Sequence, residues 1–484
     1  MTQAASGGPT AGHRFATERR PTAEQQSGAE QQFAAQRQPT AGAGQDLDAR
    51  PTLWVPGGSA AVAGGLGMAL LTLGLATARP DVAALGMPLV LGFAWGWFTR
   101  PTGQVAGALV PADGAGPVRA HLHLHAPRGT SVVRMRVSTA GYQPAEAVLS
   151  ARRDRHVTLS LHTARTGVLE AYRVDYVPAA HGEVLAAHCP PLGPARLLVR
   201  PRIRPLRRLP LPFRLQGLVG PHTSRRVGEG LELHDIHEFT PGDRLRRIDW
   251  RTTVRRSFDP RTGSLGELYV RRTLASADAT VMLVVDSRDE VGPDVDTWAG
   301  GAPTRMTQAT SLDLAREAAA SVARHVLDRG DRVGLDDLGR QRRPVPPAAG
   351  SKHAERIIQR LTRIAPEGSP KPRLRSPRLP SGALVVIFST FLDDEAGTVA
   401  ALWRSQGHRV LAVDVLPTLT TANLDPHAAT SYRLIRLERG LRLADLRRQG
   451  IDVIHWAGDP DGHGSDLGAQ EALLLASSPR RGGR

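Results

Sequence analysis

The sequence has little cysteine and almost no lysine. Its 484 residues include one cysteine, Cys189, and lysine occurs only at Lys352 and Lys371, so arginine supplies nearly all of the 62 basic residues. A single cysteine excludes an intrachain disulfide framework and is typical of a reducing compartment. Arginine in place of lysine is typical of GC-rich bacterial coding. The formal net charge of +16 therefore does not by itself indicate a binding surface.

Aromatic residues are also scarce, at 4% of the chain, and none lies in the basic clusters at 200–208 and 371–378. Prolines interrupt both clusters, so neither forms a regular basic helix face. Neither offers an aromatic platform on which bases could stack. We therefore expect no nucleic-acid partner.

The sequence lacks the common catalytic and cofactor-binding motifs. It has no Walker loop, nucleophile elbow or paired-cysteine motif, and the HDIHE segment at 234–238 does not have the spacing of a zinc protease. The alternating His121, His123 and His125 would share one strand face, where imidazoles can bind zinc. No carboxylate or thiol is nearby in the sequence, so we favour an exposed strand face. We expect no cofactor.

Two apolar segments follow an N-terminal tail. Residues 1–52 are rich in Ala, Gln, Gly, Thr and Pro, which predicts disorder, and a second disordered tail is predicted at 461–484. Within 53–100, the segments 59–78 and 82–98 carry no charge and approach the length that crosses a bilayer. Their glycines would suit either a buried helix pair in a soluble domain or a membrane hairpin. We favour the hairpin, because no amphipathic stripe is visible.

Charges around the hairpin predict its orientation. Arg50 and Arg100 flank the two segments, whereas Arg79 in the turn between them is offset by Asp81. By the positive-inside rule both ends lie in the cytoplasm. We therefore expect a multi-pass protein of the cell membrane with most of its chain in the cytoplasm.

Hydrophobic patterning predicts two further folded regions. Short runs with a period of two at 104–199 predict a small β-sandwich, and a Pro- and Arg-rich linker is predicted at 200–216. From 276 to 460, strands and helices alternate, which predicts a doubly wound α/β sheet. Within it, residues 310–313 resemble a helix-capping box.

Residues 217–275 contain the densest mixture of turn chemistry, charge and aromatics. Pro241 and Gly242 predict a type II turn. Asp243 is then expected to cap a short helix in which Leu245 and Ile248 share a face. Either an exposed loop that docks a partner or an internal network that braces a domain edge would explain this composition.

Further contacts are expected around that turn. Asp249 has several arginines close in sequence, and a bidentate ion pair with one of them is expected. Leu231, Leu233 and Ile236 are spaced so that they could face a core. The arginines available to Asp249 are Arg244, Arg246, Arg247 and Arg251.

This stretch resembles the signature of the domain-of-unknown-function 58 family. The resemblance continues through the apolar strands of the last 290 or so residues, where that family has a von Willebrand factor A-like domain. It implies a non-enzymatic adaptor that works with a MoxR-type AAA+ ATPase. The matching residues are Gly230, Glu232, Phe239, Pro241, Gly242, Asp243, Arg246, Ile248, Asp249, Trp250 and Arg251.

The resemblance also implies a metal site after the first strand of the α/β domain, and the sequence departs from it. Asp286 matches the first ligand, but Arg288 and Glu290 stand where two serines are usual, and Thr390 stands where an aspartate is usual. A guanidinium would repel a cation. We expect no metal there, with Arg288 lying over Asp286 as a built-in cation. A displaced site could still use Asp289, Asp393 or Asp394.

The sequence supports three competing hypotheses about function. The leading hypothesis is a membrane-anchored adaptor, which could form a homo-oligomer. Its signature loop would be held or presented by Arg246, Asp249, Trp250 and Arg251. A second hypothesis is attachment to anionic lipid or nucleic acid through arginines in 202–208. The third is a hydrolase that uses a general base, with the residues His234, His237 and Glu238 and either Asp243 or Asp249.

Overall fold

The computed structural model describes most of the chain between residues 53 and 456. The predicted tails lie outside the described residues except for Leu473, and so does the basic cluster at 371–378. The chain divides into two compact units, one of Met1–Thr163 and Val168–Leu198 and one of Ala164–Gly167 and Val199–Arg484. The described residues are 53–112, 117–151, 154–181, 183–215, 220–299, 305–339, 343–367, 379–421, 424–456 and 473.

The first unit consists of a helical hairpin and antiparallel sheets. One sheet has the order β1-β9-β8-β4-β5, a second has the order β2-β3-β6, and β10 pairs with β7. The elements are β1 (Trp54–Pro56), α1 (Gly58–Ala76), α2 (Pro80–Phe98), β2 (Ala106–Ala112), β3 (Val118–His125), β4 (Thr130–Ser138), β5 (Ala145–Ser150), β6 (Arg155–Leu161), β7 (Gly167–Ala171), β8 (Arg173–Ala180), β9 (Leu185–Ala187) and β10 (Ala195–Val199).

Alternation along the strands separates a core face from a solvent face. On β3, Leu122 and Leu124 are buried, whereas His121 and His125 are exposed. His123 lies opposite His156 on β6, and their Nδ1 atoms are 2.5 Å apart. Burial, followed by the neighbouring imidazoles, lowers the pKa of His123. The histidines therefore cluster on the outward face of this sheet.

Helices α1 and α2 pack closely because glycines line their contact. A Cβ on Gly74 would lie 2.4 Å from the Ala83 nitrogen, and one on Gly86 would lie 2.5 Å from the Gly67 oxygen. Five leucines of the pair are exposed, namely Leu66, Leu73, Leu75, Leu85 and Leu91. Both helices have 19 residues, with mean hydropathies of 1.7 and 1.4, so each is long and apolar enough to cross a membrane.

Both ends of this hairpin are held by the five-stranded sheet. Strand β1, which precedes α1, pairs with β9, and the Gly57 nitrogen donates to the Val184 oxygen at 2.9 Å. After α2, the Thr99 carbonyl oxygen lies 2.8 Å from His181 Nε2. No free linker therefore separates the helices from the sheet.

The second unit is an α/β sheet with a small β-rich region before it. Its elements are β11 (His222–Glu238), a 3-10 turn (Leu245–Arg247), α3 (Trp250–Ser257), β12 (Phe258–Asp259), β13 (Ser264–Leu265), β14 (Tyr269–Ala277), β15 (Thr280–Val285), a second 3-10 turn (Val295–Ala299), α4 (Ser311–Asp328), β16 (Arg332–Asp337), β17 (Val345–Ala348), α5 (Ser351–Thr362), β18 (Leu384–Ser389), α6 (Glu395–Ser405), β19 (Arg409–Asp414), α7 (Pro426–Arg448) and β20 (Asp452–His455).

The six-stranded sheet has the order β17-β16-β15-β18-β19-β20, and its pairings are parallel except at the β17 edge. Neighbouring residues of a strand enter opposite cores. Leu283 packs with α4 and α5, whereas Val284 packs with α6 and α7. This is the doubly wound arrangement that the sequence predicts. The strand order reverses between β15 and β18, the position at which such sheets form a functional crevice.

The Pro- and Arg-rich segment, expected as a linker, packs on the second unit. Leu209 is buried in the core beside α4, and Arg204 Nε lies 2.5 Å from Glu317 Oε1. The guanidinium of Arg204 also lies over the Trp456 ring. Arg204 is therefore engaged inside this unit, although Arg202, Arg207 and Arg208 are exposed.

Candidate functional site

The signature region forms a turn that the sequence predicts correctly. The Asp243 nitrogen donates to the Thr240 oxygen at 3.0 Å, and Gly242 has a φ of +111°, as a type II turn requires. The expectation that Asp243 caps a helix is wrong. Its Oδ2 accepts from the backbone and hydroxyl of Thr240 at 2.9 and 2.8 Å. These bonds, the backbone one first, lower the pKa of Asp243.

Helix α3 instead begins at Trp250 and is capped by Asp249. The Asp249 Oδ1 accepts from the Thr252 nitrogen at 3.0 Å, and the Asp249 nitrogen donates to the Tyr269 oxygen at 2.8 Å. Its nearest arginine is Arg271, whose Nε is 4.0 Å from Oδ2. The predicted bidentate pair at Asp249 is therefore wrong, because the first turn of the helix uses the carboxylate.

A bidentate pair does form, but between residues that are far apart in sequence. Asp235 on β11 lies opposite Arg272 on β14. Arg272 donates from Nε and Nη2 to the two Asp235 oxygens at 2.8 and 2.6 Å. The partners are 37 positions apart, so local sequence offered no signal for this contact. The pair braces a two-stranded ribbon made of β11 and β14.

A bulge interrupts the ribbon at the glycine of the signature. Thr273 lies opposite both Gly228 and Leu233, so residues 229–232 have no partner on β14. We call these four residues the signature bulge. A Cβ on Gly230 would lie 2.3 Å from the Leu274 oxygen, so the backbone approach at this point requires glycine.

The bulge presents an apolar side chain to solvent. Leu231 is 101% exposed, and Leu233 beside it is 47% exposed. The expectation that these two leucines face a core is therefore wrong, because β11 pairs only with β14 and nothing among the described residues covers the bulge. Ile236 is half-buried, and Glu232 is exposed.

The remaining signature residues divide into held and exposed groups. The Phe239 nitrogen donates to the Leu268 oxygen at 2.7 Å, which closes the ribbon before the turn. Arg246, Trp250 and Arg251 are exposed. Trp250, which is 58% exposed, has the largest side chain of the three. The signature thus builds a rigid turn and a helix cap that hold exposed side chains in place.

The distances between the histidines of this region and the nearby carboxylates give little support for a catalytic pair. His237 Nε2 is 3.6 Å from Asp243 Oδ2, beyond hydrogen-bond distance. His234 Nδ1 is 3.2 Å from Asp235 Oδ2. A hydrogen bond from Arg272 lowers the pKa of Asp235, and the pKa of Asp243 is also lowered. A general base works best with a pKa near the working pH, and both carboxylates depart from that value.

A second charged site lies where β15 and β18 end, at the reversal of strand order. The Arg288 guanidinium donates from Nε and Nη2 to the two Asp286 oxygens, both at 2.8 Å. It also donates to Asp393 at 2.6 and 3.0 Å and to Glu395 at 2.7 Å. Every N–H of the guanidinium is therefore used. Ser389 Oγ donates to Asp286 at 2.7 Å from the neighbouring strand.

Burial makes these contacts strong. The side chains of Asp286 and Arg288 are each 5% exposed. Burial by itself would lower the pKa of Arg288, but the hydrogen bonds that it donates to Asp286 and Asp393 outweigh burial and raise that pKa. The guanidinium lies over Asp286, as the sequence leads one to expect, while Glu395 is a partner that sequence reasoning missed.

The other two positions of the implied metal site point elsewhere. Glu290 Oε1 accepts from Arg165 Nη2 at 2.5 Å and from Thr310 Oγ1 at 2.8 Å, at the start of α4. The Thr390 carbonyl accepts from Arg439 Nε at 2.7 Å. Of the four positions, only Asp286 and Arg288 come together.

These residues do not fit a metal site. The oxygens that could bind a hard cation converge on the Arg288 guanidinium instead. Of the residues considered for a displaced site, Asp393 pairs with Arg288 and Asp394 pairs with Arg442. Within the described part of the chain, no group of three or more His, Cys, Asp or Glu side chains is placed to hold a metal ion.

The fold and the site define an α/β protein with a buried charged cluster at the carboxyl ends of β15 and β18 and an exposed signature ribbon. Residues 235–422 match the family model described as "Protein of unknown function DUF58". This match confirms the predicted resemblance for that part of the chain. A comparison with curated proteins found no matching relative.

Proposed function

We propose that the protein is a membrane-anchored, non-enzymatic adaptor whose signature bulge docks a partner protein. The observation that carries the proposal is Leu231, which stands fully exposed on a backbone that Gly230 fixes against β14. A contiguous exposed apolar surface is typical of protein interaction sites. The neighbouring Leu233 and Val227 extend the apolar surface.

The partner proposed is a MoxR-type AAA+ ATPase. The family resemblance over residues 235–422 supports this choice, and the same resemblance supports a von Willebrand A-like origin for the α/β domain. The strand order of that domain and the position of Asp286 after β15 agree with such an origin. In this proposal the domain is a rigid platform for the signature ribbon.

The anchor proposed is the α1–α2 hairpin. Its glycine-lined contact and outward leucines suit two helices in lipid, where small residues permit close packing. Arg100 follows α2, whereas Arg79 in the turn lies 4.0 Å from Asp81, which offsets its charge. This asymmetry favours both ends, and thus most of the chain, on the cytoplasmic side.

The hydrolase hypothesis has less support. The candidate base Asp243 is engaged by Thr240, and Asp235, the carboxylate that lies beside His234, is engaged by Arg272. Asp249, the other candidate base, caps α3. These contacts are what a structural network needs, and they favour an adaptor over an enzyme at this site.

Affinity purification of the detergent-solubilised chain, followed by mass spectrometry, tests the proposal. We compare the wild type with Leu231→Asp and with a matched control, Leu437→Asp, whose leucine is exposed on α7. Burial of one leucine contributes about 1.5–3 kcal/mol, or roughly 10- to 150-fold in affinity. Because Leu231 touches no core, thermal unfolding should be unchanged.

The expected result is recovery of an AAA+ ATPase with the wild type and the control, and its loss with Leu231→Asp. Equal recovery with all three forms would remove the bulge from the interface. If no form recovers an ATPase, the proposed partner is wrong, and an activity screen of the His234–His237 region becomes the next step.

A further inference from the structure

We propose that the surface of α3 binds the headgroup region of an anionic lipid bilayer. Apolar side chains around this helix are open to solvent, with exposures between 43% and 68%. We call this surface the α3 patch. Its apolar members are Leu245, Trp250, Val254, Phe258 and Leu265.

The opposite side of α3 is firmly held. Thr253 is fully buried, and its Oγ1 accepts from the Tyr269 nitrogen at 3.0 Å. Asp249 caps the helix. Trp250 and Val254 are one turn apart and therefore share a face. The helix is fixed on β14, and Trp250 and Val254 remain 58% and 50% exposed.

Unpaired positive charge surrounds these apolar residues. Four arginines around the patch are exposed. In the part of the chain that the structure describes, none of the four is paired with a carboxylate. Asp249 caps α3 and Asp259 accepts bonds within its own turn, so each of these two carboxylates has another partner. The four arginines are Arg246, Arg251, Arg255 and Arg261.

Charge and composition select the occupant. A helix with tryptophan on one face and arginine beside it is typical of helices that lie in a membrane interface. A dry protein interface would have to desolvate several like charges together, whereas a headgroup layer keeps them hydrated and supplies phosphates. The inference rests on the proposed membrane anchor, because the α1–α2 hairpin would hold the patch at high local concentration near a bilayer.

Reconstitution of the full chain in nanodiscs tests the inference. A fluorophore is placed at position 254 by Val254→Cys in a Cys189→Ser background, and quenching by nitroxide-labelled lipid is measured. Nanodiscs of phosphatidylcholine alone are compared with nanodiscs that contain an equal part of phosphatidylglycerol. A label at Gln359→Cys on α5, an exposed position away from the patch, is the reference.

We expect quenching of the label at 254 only with phosphatidylglycerol. Each arginine near an anionic surface contributes about 1 kcal/mol, or roughly fivefold. Arg251→Gln/Arg255→Gln should therefore lower the docked-to-free ratio by roughly 25-fold. The matched control is Arg324→Gln/Arg356→Gln, which removes two exposed arginines from α4 and α5 and should leave quenching unchanged.

Three results would overturn the inference. Quenching that is equal in both lipid mixtures would remove the role of charge. Absence of quenching in a chain that does enter nanodiscs would leave the anchor intact and show that the α3 patch does not touch lipid. Protection of the label by an AAA+ ATPase would then assign the α3 patch to a protein interface. A chain that fails to enter nanodiscs would refute the anchor itself.

Discussion

Arg288→Met should strongly destabilise the α/β unit, because it removes the cation that neutralises a buried carboxylate. The side chains of Asp286 and Arg288 are each 5% exposed, so water cannot replace the lost contacts. Breaking a buried ion pair from one side costs about 3–5 kcal/mol. In a domain of this size that corresponds to a fall of roughly 6–20 °C in the melting temperature.

An exposed pair provides the matched control. Arg324 and Asp328 lie one turn apart on α4, with Nε and Oδ2 at 2.9 Å and side chains 52% and 56% exposed. Arg324→Met should cost only about 0.3–0.5 kcal/mol. The double variant Asp286→Asn/Arg288→Met should recover part of the loss, because no unpaired charge is left buried.

Scanning calorimetry of the solubilised chain measures these differences, and hydrogen exchange at residues 286–291 and 389–395 localises them. If Arg288→Met lowers the melting temperature no more than Arg324→Met does, then Arg288 is not the internal cation described above. If manganese stabilises the wild type and Asp286→Ala abolishes this effect, the assignment of Arg288 as the internal cation is also contradicted, since a metal would then occupy the site.

Three smaller effects are also expected. Asp249→Ala should cost about 1 kcal/mol through loss of the α3 cap, seen as faster hydrogen exchange at Thr252 while α4 is unchanged. Burial alone would raise the pKa of Asp414, but hydrogen bonds from His455 and Arg439 hold it below 3.8. The difference in free energy of unfolding between the wild type and Asp414→Asn, measured by urea denaturation, should therefore persist above pH 3.8 and shrink only below it. The pKa of His123 is lowered from 6.5 by burial and then by neighbouring imidazoles, so the unfolded chain binds a proton at this histidine more readily than the folded chain does. The free energy of unfolding should therefore fall as the pH drops below 6.5. A His123→Gln variant that keeps the full pH dependence would assign this dependence to another group.

Features that depend on neighbouring residues could be predicted from the sequence. The type II turn at Pro241 and Gly242 follows from the fixed φ of proline and the freedom of glycine. The capping box of Thr310 and Asp313 forms as expected, because its partners are three residues apart. The parallel strand β15 follows from an apolar run that only a sheet covered on both faces can bury.

Features that depend on distant residues could not be predicted. Asp235 finds Arg272 only because β11 and β14 align them. The bulge that exposes Leu231 arises from the register of the same two strands, whereas alternation in sequence placed that leucine inward. Asp249 shows a related failure: charge proximity favoured an arginine, but the unpaired N–H groups at the start of α3 are nearer and better aimed.

The pairing of β1 with β9 has a consequence for the order in which the strands of the first unit pair during synthesis. Strand β1 leaves the ribosome before the hairpin, but its partner, Leu185–Ala187, is synthesised about 130 residues later. At 5–20 residues per second, the hairpin would have several seconds or more to enter a membrane before β1 could pair. In the proposed membrane-anchored protein, the five-stranded sheet would then be completed beside the membrane, and the last of its strands to pair would be the first of the five to be translated.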